Sequence, residues 1–138
     1  KFERYLGRTR VLLLFIADAD AAEHPLVRRL VDDHSAVEKA GVEVVVVGLA
    51  TPFANRDAEA RLGAPFPFPV LTDVDRHSPQ PAPVHRQWGL TDAAGRDVRE
   101  GLFLIDRDGT VSWSGPAPRP VGDPMTTIEK LAHGKWPQ

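Results

Sequence analysis

Apolar and polar residues follow one another along this chain in blocks whose period changes from element to element. Val11-Leu12-Leu13-Leu14-Phe15-Ile16 is a run of six apolar residues set between Arg10 and the polar stretch Asp18 to His24. A continuous run this short suits a strand covered on both faces, as in the middle of a parallel sheet. From Pro25 the spacing lengthens, and Leu26, Val27, Leu30, Val31 and Val37 form one stripe of a helix. That helix opens on a proline at its first position and stops before Gly41, which serves as its C-terminal cap. Val42 to Leu49 is again nearly all apolar and rich in β-branched residues, a second buried strand. Strand, helix and strand within about forty residues predict a right-handed βαβ unit.

The second half is patterned in shorter pieces. Thr51-Pro52 opens a loop, Ala54 to Leu62 reads as a short helix, and Gly63 ends it. Ala64-Pro65-Phe66-Pro67-Phe68-Pro69 cannot be helical and predicts an extended edge segment, because proline offers no ladder donor. Residues 76–83 are a proline-rich loop, and Val84 to Leu90 predicts one or two helical turns that carry Trp88 inward. Leu102 to Ile105 is a third apolar strand, Arg107-Asp108-Gly109 a tight hairpin turn, and Thr110 to Ser114 a returning strand. In that strand Val111 and Trp113 point one way and Ser112 and Ser114 the other, as at a half-exposed edge. Asp123-Pro124 caps a last helix with Met125, Ile128 and Leu131 on one face and Gly134 at its end. At the other terminus Phe2, Tyr5 and Leu6 are spaced to cover one edge of the core. The order β-α-β, short helix, β-hairpin, α predicts an α/β, thioredoxin-like fold. Its sheet is mixed and four- to five-stranded, a βαβ unit plus an antiparallel hairpin, with helices on both faces, and residues 1–138 are read as a single domain.

Composition narrows the function. A net charge of −2 leaves no basic footprint, which argues against nucleic acid as the main partner. The apolar runs end far short of the ~20 residues that span a bilayer, so no membrane span is expected. Cysteine is absent, which removes disulfides, thiolate nucleophiles and cysteine metal sites. Lys1 is not an initiator Met, so the start of the chain says nothing about targeting. The compartment is not legible, with the cytoplasm favoured.

Chemistry is concentrated at the mouth of the first strand-loop-helix. Asp18, Asp20, Glu23 and His24 place three carboxylates and an imidazole in seven residues, weak candidates for Mg²⁺, Mn²⁺, Zn²⁺ or Fe²⁺. Acidic residues before a helix also complement its positive end, and this is the commoner reason for finding them there. Leu104-Ile105-Asp106-Arg107-Asp108-Gly109-Thr110 mimics the Asp-x-Asp signature of haloacid-dehalogenase-type phosphatases, as does Ile16-Ala17-Asp18-Ala19-Asp20. That chemistry needs a Lys and an acidic pair well downstream, where little chain remains, so Asp-Gly is read as a turn. His34 falls near the polar-apolar border of the first helix, and His77, His85 and His133 are read as loop or surface residues. Trp88 and Trp113 are read as core and edge packing, and Trp136 as loose or as a contact with another domain or subunit. No Gly-x-Ser-x-Gly elbow or glycine-rich phosphate loop is present.

Four pieces, taken in order over residues 2 to 115, carry a family resemblance. They are Tyr5-Leu6-Gly7-Arg8 before Val11-Leu12-Leu13-Leu14-Phe15, then Pro67-Phe68-Pro69-Val70-Leu71-Thr72-Asp73, then His85-Arg86-Gln87-Trp88-Gly89-Leu90, and Gly101-Leu102-Phe103-Leu104-Ile105-Asp106-Arg107-Asp108-Gly109. The chain resembles the peroxiredoxins, the alkyl-hydroperoxide-reductase and thiol-specific-antioxidant group of the thioredoxin superfamily. The catalytic motif of that family is Pro-x-x-x-Thr-x-x-Cys after the first buried strand, with an Arg just before the Gly-Leu-Phe strand. Aligning Phe15 and Pro25 puts Ala17 at the Pro position, Ala21 at the Thr, His24 at the reactive Cys and Glu100 at the Arg. All four are changed. Arg99 is one residue early and in a strand would face the other side of the sheet.

Peroxide reduction in the family needs a thiolate that becomes a sulfenic acid, a step that imidazole cannot take. The resemblance therefore implies the scaffold without the peroxidase: a binding or interaction module for an unknown protein partner or small ligand, with no cofactor. The alternative is an enzyme of other chemistry that uses the Asp18 to His24 loop, most plausibly with a metal. Peroxiredoxins often pair through edges or loops, so a homodimer stays open, although the proline-rich segments would obstruct such contacts. His24 is expected at the exposed start of the first long helix.

Overall fold

A computed structural model describes residues 9–17, 21–73, 84–85, 88, 90–91, 98–116 and 124–136. The expected lead-in at Phe2, Tyr5 and Leu6, the loop 76–83 with His77, and the cap Asp123 lie outside the described residues. The sheet is built on β1 (Arg10–Phe15), which β2 (Val42–Gly48) flanks in parallel and β4 (Gly101–Ile105) antiparallel. Two short strands complete it: β3 (Val70–Thr72) runs parallel beside β2 and β5 (Val111–Pro116) antiparallel beside β4, in the order β3-β2-β1-β4-β5. With a neighbour on each side and a layer on each face, Val11 to Phe15 are no more than 2% exposed, which accounts for the unbroken apolar run.

Alternation along the strands sorts their side chains into two cores. Leu12, Leu14, Val44, Val46, Leu102 and Leu104 face α1 (Pro25–Lys39) and α3 (Pro124–Ala132), whose Leu26, Val27, Leu30, Ile128 and Leu131 cover them. Val11, Leu13, Phe15, Val45, Val47 and Ile105 face the other way, under Leu90, Val84, Trp88 and Phe103. There Trp88 packs against Phe103 and Phe15, with ring centroids 4.8 and 5.7 Å apart, as inward-facing core packing.

Local chemistry sets the element ends. α2 (Pro52–Leu62) begins two residues before the expected Ala54, because Thr51 caps it by accepting from Ala54 N–H at 3.1 Å and Pro52 takes the first helical position. Gly41 ends α1 at φ +83°, a conformation other residues adopt only with strain, and its N–H donates to Glu38 O. Gly109 at φ +86° closes the hairpin, where Asp106 N–H donates to Thr110 O and Thr110 N–H to Asp108 Oδ1. Asp106 and Asp108 are therefore turn residues, Asp106 also pairing with Arg10 at 3.2 Å. β5 is the sheet edge, where a register shift between Leu104 and Ile105 pairs these with Trp113 and Val111, and Val111 is exposed. Trp136 corrects its reading as loose, being half-buried against the main core with the Arg10 guanidinium 4.6 Å above its ring.

Gly101 is small because its place is crowded. A Cβ there would come within 2.8 Å of Leu90 Cδ2 and 3.1 Å of Phe103 Cε2. Gly101→Ala is expected to destabilise by about 1–3 kcal/mol through overpacking, read as a lowered urea midpoint at unchanged slope, and an unchanged midpoint would show that Leu90 yields freely.

Candidate functional site

The site lies where the parallel strands end, the usual location in an open α/β sheet. β1 stops at Phe15, opposite Gly101, so Ile16 and Ala17 pass beside Glu100 as the chain leaves the sheet. Ala21–Glu23 form one 3-10 turn, His24 closes it by donating its N–H to Ala21 O at 3.2 Å, and α1 begins at Pro25. Ala17, Ala21, His24 and Glu100, dispersed in sequence, thereby meet. Asp18 and Asp20 lie outside the described residues, and Glu23 turns its carboxylate outward, 3.9 Å from Arg61. Among the described residues no three His, Asp or Glu side chains stand together as a metal site.

The hydrogen bonds of His24 define its tautomer. Leu26 N–H donates to Nδ1 at 3.2 Å, so Nδ1 holds a lone pair and acts as the helix N-cap. Nε2 then carries the proton and donates it to Glu100 Oε2 at 2.6 Å. The same oxygen accepts from Ala17 N–H at 3.2 Å. Both ring nitrogens are committed, which leaves the imidazole no lone pair for a metal or a substrate proton unless α1 loses its cap. The expectation that His24 is exposed is corrected here: it stands at the start of the first long helix but is 4% exposed, because the ring folds back to cap its own helix and clasp Glu100. Arg99 is exposed, whereas the Glu100 side chain is three-quarters buried against Ala17.

Burial alone would raise the Glu100 carboxyl. The hydrogen bonds from His24 and from Ala17 N–H outweigh it and hold the group below the ordinary glutamate value. A carboxyl lowered on folding stabilises the fold fully above its unfolded value, and that contribution is lost as pH falls through the lower folded one. Glu100→Gln should therefore lose less stability than the unsubstituted chain between neutral pH and the acid range below the ordinary 4.5. Urea midpoints at both ends of that interval measure it, and parallel declines in the two proteins would contradict the assignment.

Sequence reading misplaced one residue altogether. His85, read as a loop or surface histidine, is fully buried on Asp73, itself 2% exposed. Asp73 Oδ2 accepts from His85 Nδ1 at 2.5 Å and from His85 N–H at 2.8 Å, and Oδ1 accepts from Val84 N–H at 2.9 Å. His85 Nε2 donates to Ile16 O at 3.0 Å. The carboxylate at the end of β3 thus caps the helical turn at Val84–His85 from eleven residues upstream. A helical turn that begins without its own cap, after an unexplained Asp at a strand end, was the available signal. His34 sits by Phe68 with ring centroids 5.9 Å apart, and His133 is exposed.

No protein-family model matches the chain. Among curated proteins it is similar to a peroxiredoxin of Thermoplasma volcanium, 28% identical over 98 residues that cover 68% of this chain and 45% of that protein. It is also similar to peroxiredoxin 2 of Thermoplasma acidophilum, 26% identical over 103 residues, 70% of this chain and 49% of the other. The chain thus spans about half the length of the curated relatives it matches. Among solved structures, the bacterioferritin comigratory protein of Xanthomonas campestris superposes with a TM-score of 0.68 at 18% identity, over 98% of this chain and 85% of that one. A 2-Cys peroxiredoxin of Plasmodium vivax gives 0.66 at 16%, over 95% and 82%. At these identities the solved structures establish the thioredoxin fold. Among the described residues no helix is long and apolar enough to cross a membrane.

Proposed function

The chain is a peroxiredoxin-like thioredoxin-fold domain without a cysteine, and from that premise we propose that it does not reduce peroxides and serves as a binding or interaction module. The reading takes His24 to stand at the place of the reactive thiol, Glu100 at that of the arginine, and Ala17 and Ala21 at those of the Pro and Thr. One observation carries it: both nitrogens of His24 are engaged, one by the start of α1 and one by Glu100. A peroxide arriving there meets no sulfur to oxidise, no hydroxyl at position 21 and a carboxylate where a cation would polarise the O–O bond. The negative charge at the start of the helix is kept, carried by Glu100 in place of a thiolate. The mouth is a closed structural joint, and the partner, a protein or a small ligand, is met elsewhere on the scaffold.

Purified chain mixed with hydrogen peroxide and a thiol reductant is expected to consume peroxide no faster than the reductant alone. Clear turnover would overturn the reading. Among the described residues of the Asp18 to His24 loop, both nitrogens of His24 are bonded and Glu23 faces Arg61, so neither favours a metal-dependent enzyme.

A further inference from the structure

The two imidazole–carboxylate pairs, His24–Glu100 and His85–Asp73, are joined by a single peptide unit. The bonds run without interruption from Asp73 to His85 Nδ1, from His85 Nε2 to Ile16 O, from Ala17 N–H to Glu100 Oε2, from that oxygen to His24 Nε2, and from His24 Nδ1 to Leu26 N–H. Ile16 O and Ala17 N–H belong to the same conjugated amide, so a donor on the oxygen strengthens the N–H as a donor on the far side. His85 Nε2 faces a carbonyl, which only accepts, while Nδ1 faces a carboxylate that also accepts two backbone N–H bonds. A hydrogen-bond donor therefore stands at the oxygen end of the amide and an acceptor at the nitrogen end. The pairs sit at opposite ends of the assembly, one at the end of β3 and the other at the start of α1.

We propose that the Ile16–Ala17 peptide couples the two pairs into one hydrogen-bonded latch that holds the start of α1 against the sheet, so that loosening the Asp73–His85 end releases the cap at Leu26. Among the described residues, the ionisable groups that bear on it are few. Asp73 and His85 face it from the β3 end, Glu100 from the segment before β4 and His24 from the start of α1, while Glu23 turns to Arg61 and Arg99 is exposed. Burial raises the Glu100 carboxyl, and the hydrogen bonds from His24 and Ala17 N–H outweigh it, with a smaller lowering from His85.

Asp73→Asn perturbs the distant end while keeping an acceptor for one of the two backbone donors, and amide hydrogen exchange reads the near end. The Ala17 and Leu26 amides are expected to speed up by roughly tenfold more than the core amides of Val44 and Leu104, as for local opening, and the His24 ring nitrogens to change their NMR shifts. Uniform acceleration across all four amides, or changes confined to the surroundings of His85, would overturn the coupling. If Asp73→Asn does not fold, nitrogen spectra of the unsubstituted chain across pH decide the matter. A coupled latch moves both histidine ring signals and the Ala17 amide over one interval, whereas separate intervals with a stationary Ala17 amide would refute it.

Discussion

Asp73→Ala is expected to lower stability by about 3–5 kcal/mol, the usual cost of leaving one member of a buried ion pair alone. The side chains of Asp73 and His85 are 1% and 0% exposed, so no water replaces the lost carboxylate. Its removal also frees Val84 N–H and His85 N–H, each costing further if left unmet. Against a typical total of about 5–15 kcal/mol this is a large fraction. Urea denaturation measures it, with Asp33→Ala as the control. Asp33 pairs with Arg29 on the surface of α1, where such pairs are worth about 0–1 kcal/mol. Equal losses in the two variants would show that the Asp73–His85 pair carries no special load. Should Asp73→Ala leave no folded baseline, Asp73→Asn serves the same comparison.

Placing a thiol at position 24 is expected not to bring peroxide reduction with it. In His24→Cys the sulfur would stand at the start of α1, whose positive end favours a thiolate. It would also face Glu100, whose negative charge disfavours one. Each unit by which a thiol pKa rises costs about tenfold in thiolate. His24→Cys should therefore react with an alkylating agent at neutral pH at least about tenfold more slowly than His24→Cys combined with Glu100→Arg. The single variant should show no peroxide turnover above the reductant. If the single and double variants react alike, Glu100 does not govern the electrostatics of position 24, and the account of the site as an inverted thiol centre fails.

Much of the architecture is readable from local pattern because its causes are local. The six-residue run at β1, the stripe of α1 and the Asp-Gly turn before β5 each record which face of a short segment meets the core. One departure also has a local cause. Thr51-Pro52, read as a loop, is the cap and first residue of α2, since a threonine before a proline serves either purpose until the helix behind it is known. The register shift between β4 and β5 depends on how the two strands pair, which a local pattern does not record.

The candidate site divides in the same way. That no cysteine stands before the first long helix was legible in the residues, and so was the resemblance that sets Ala17, Ala21, His24 and Glu100 against the Pro, Thr, Cys and Arg of the family motif. That His24 and Glu100 bond to each other across 76 positions, and that His85 lies beneath β1 on Asp73 rather than at the surface, was not. Hydrophobic periodicity reports only the neighbours a few residues away. Which histidine meets which carboxylate depends on the order of strands in the sheet, and only after β1 has been set between β2 and β4 do the Ile16 carbonyl and the Ala17 amide, just past its end, have an imidazole on one side and a carboxylate on the other.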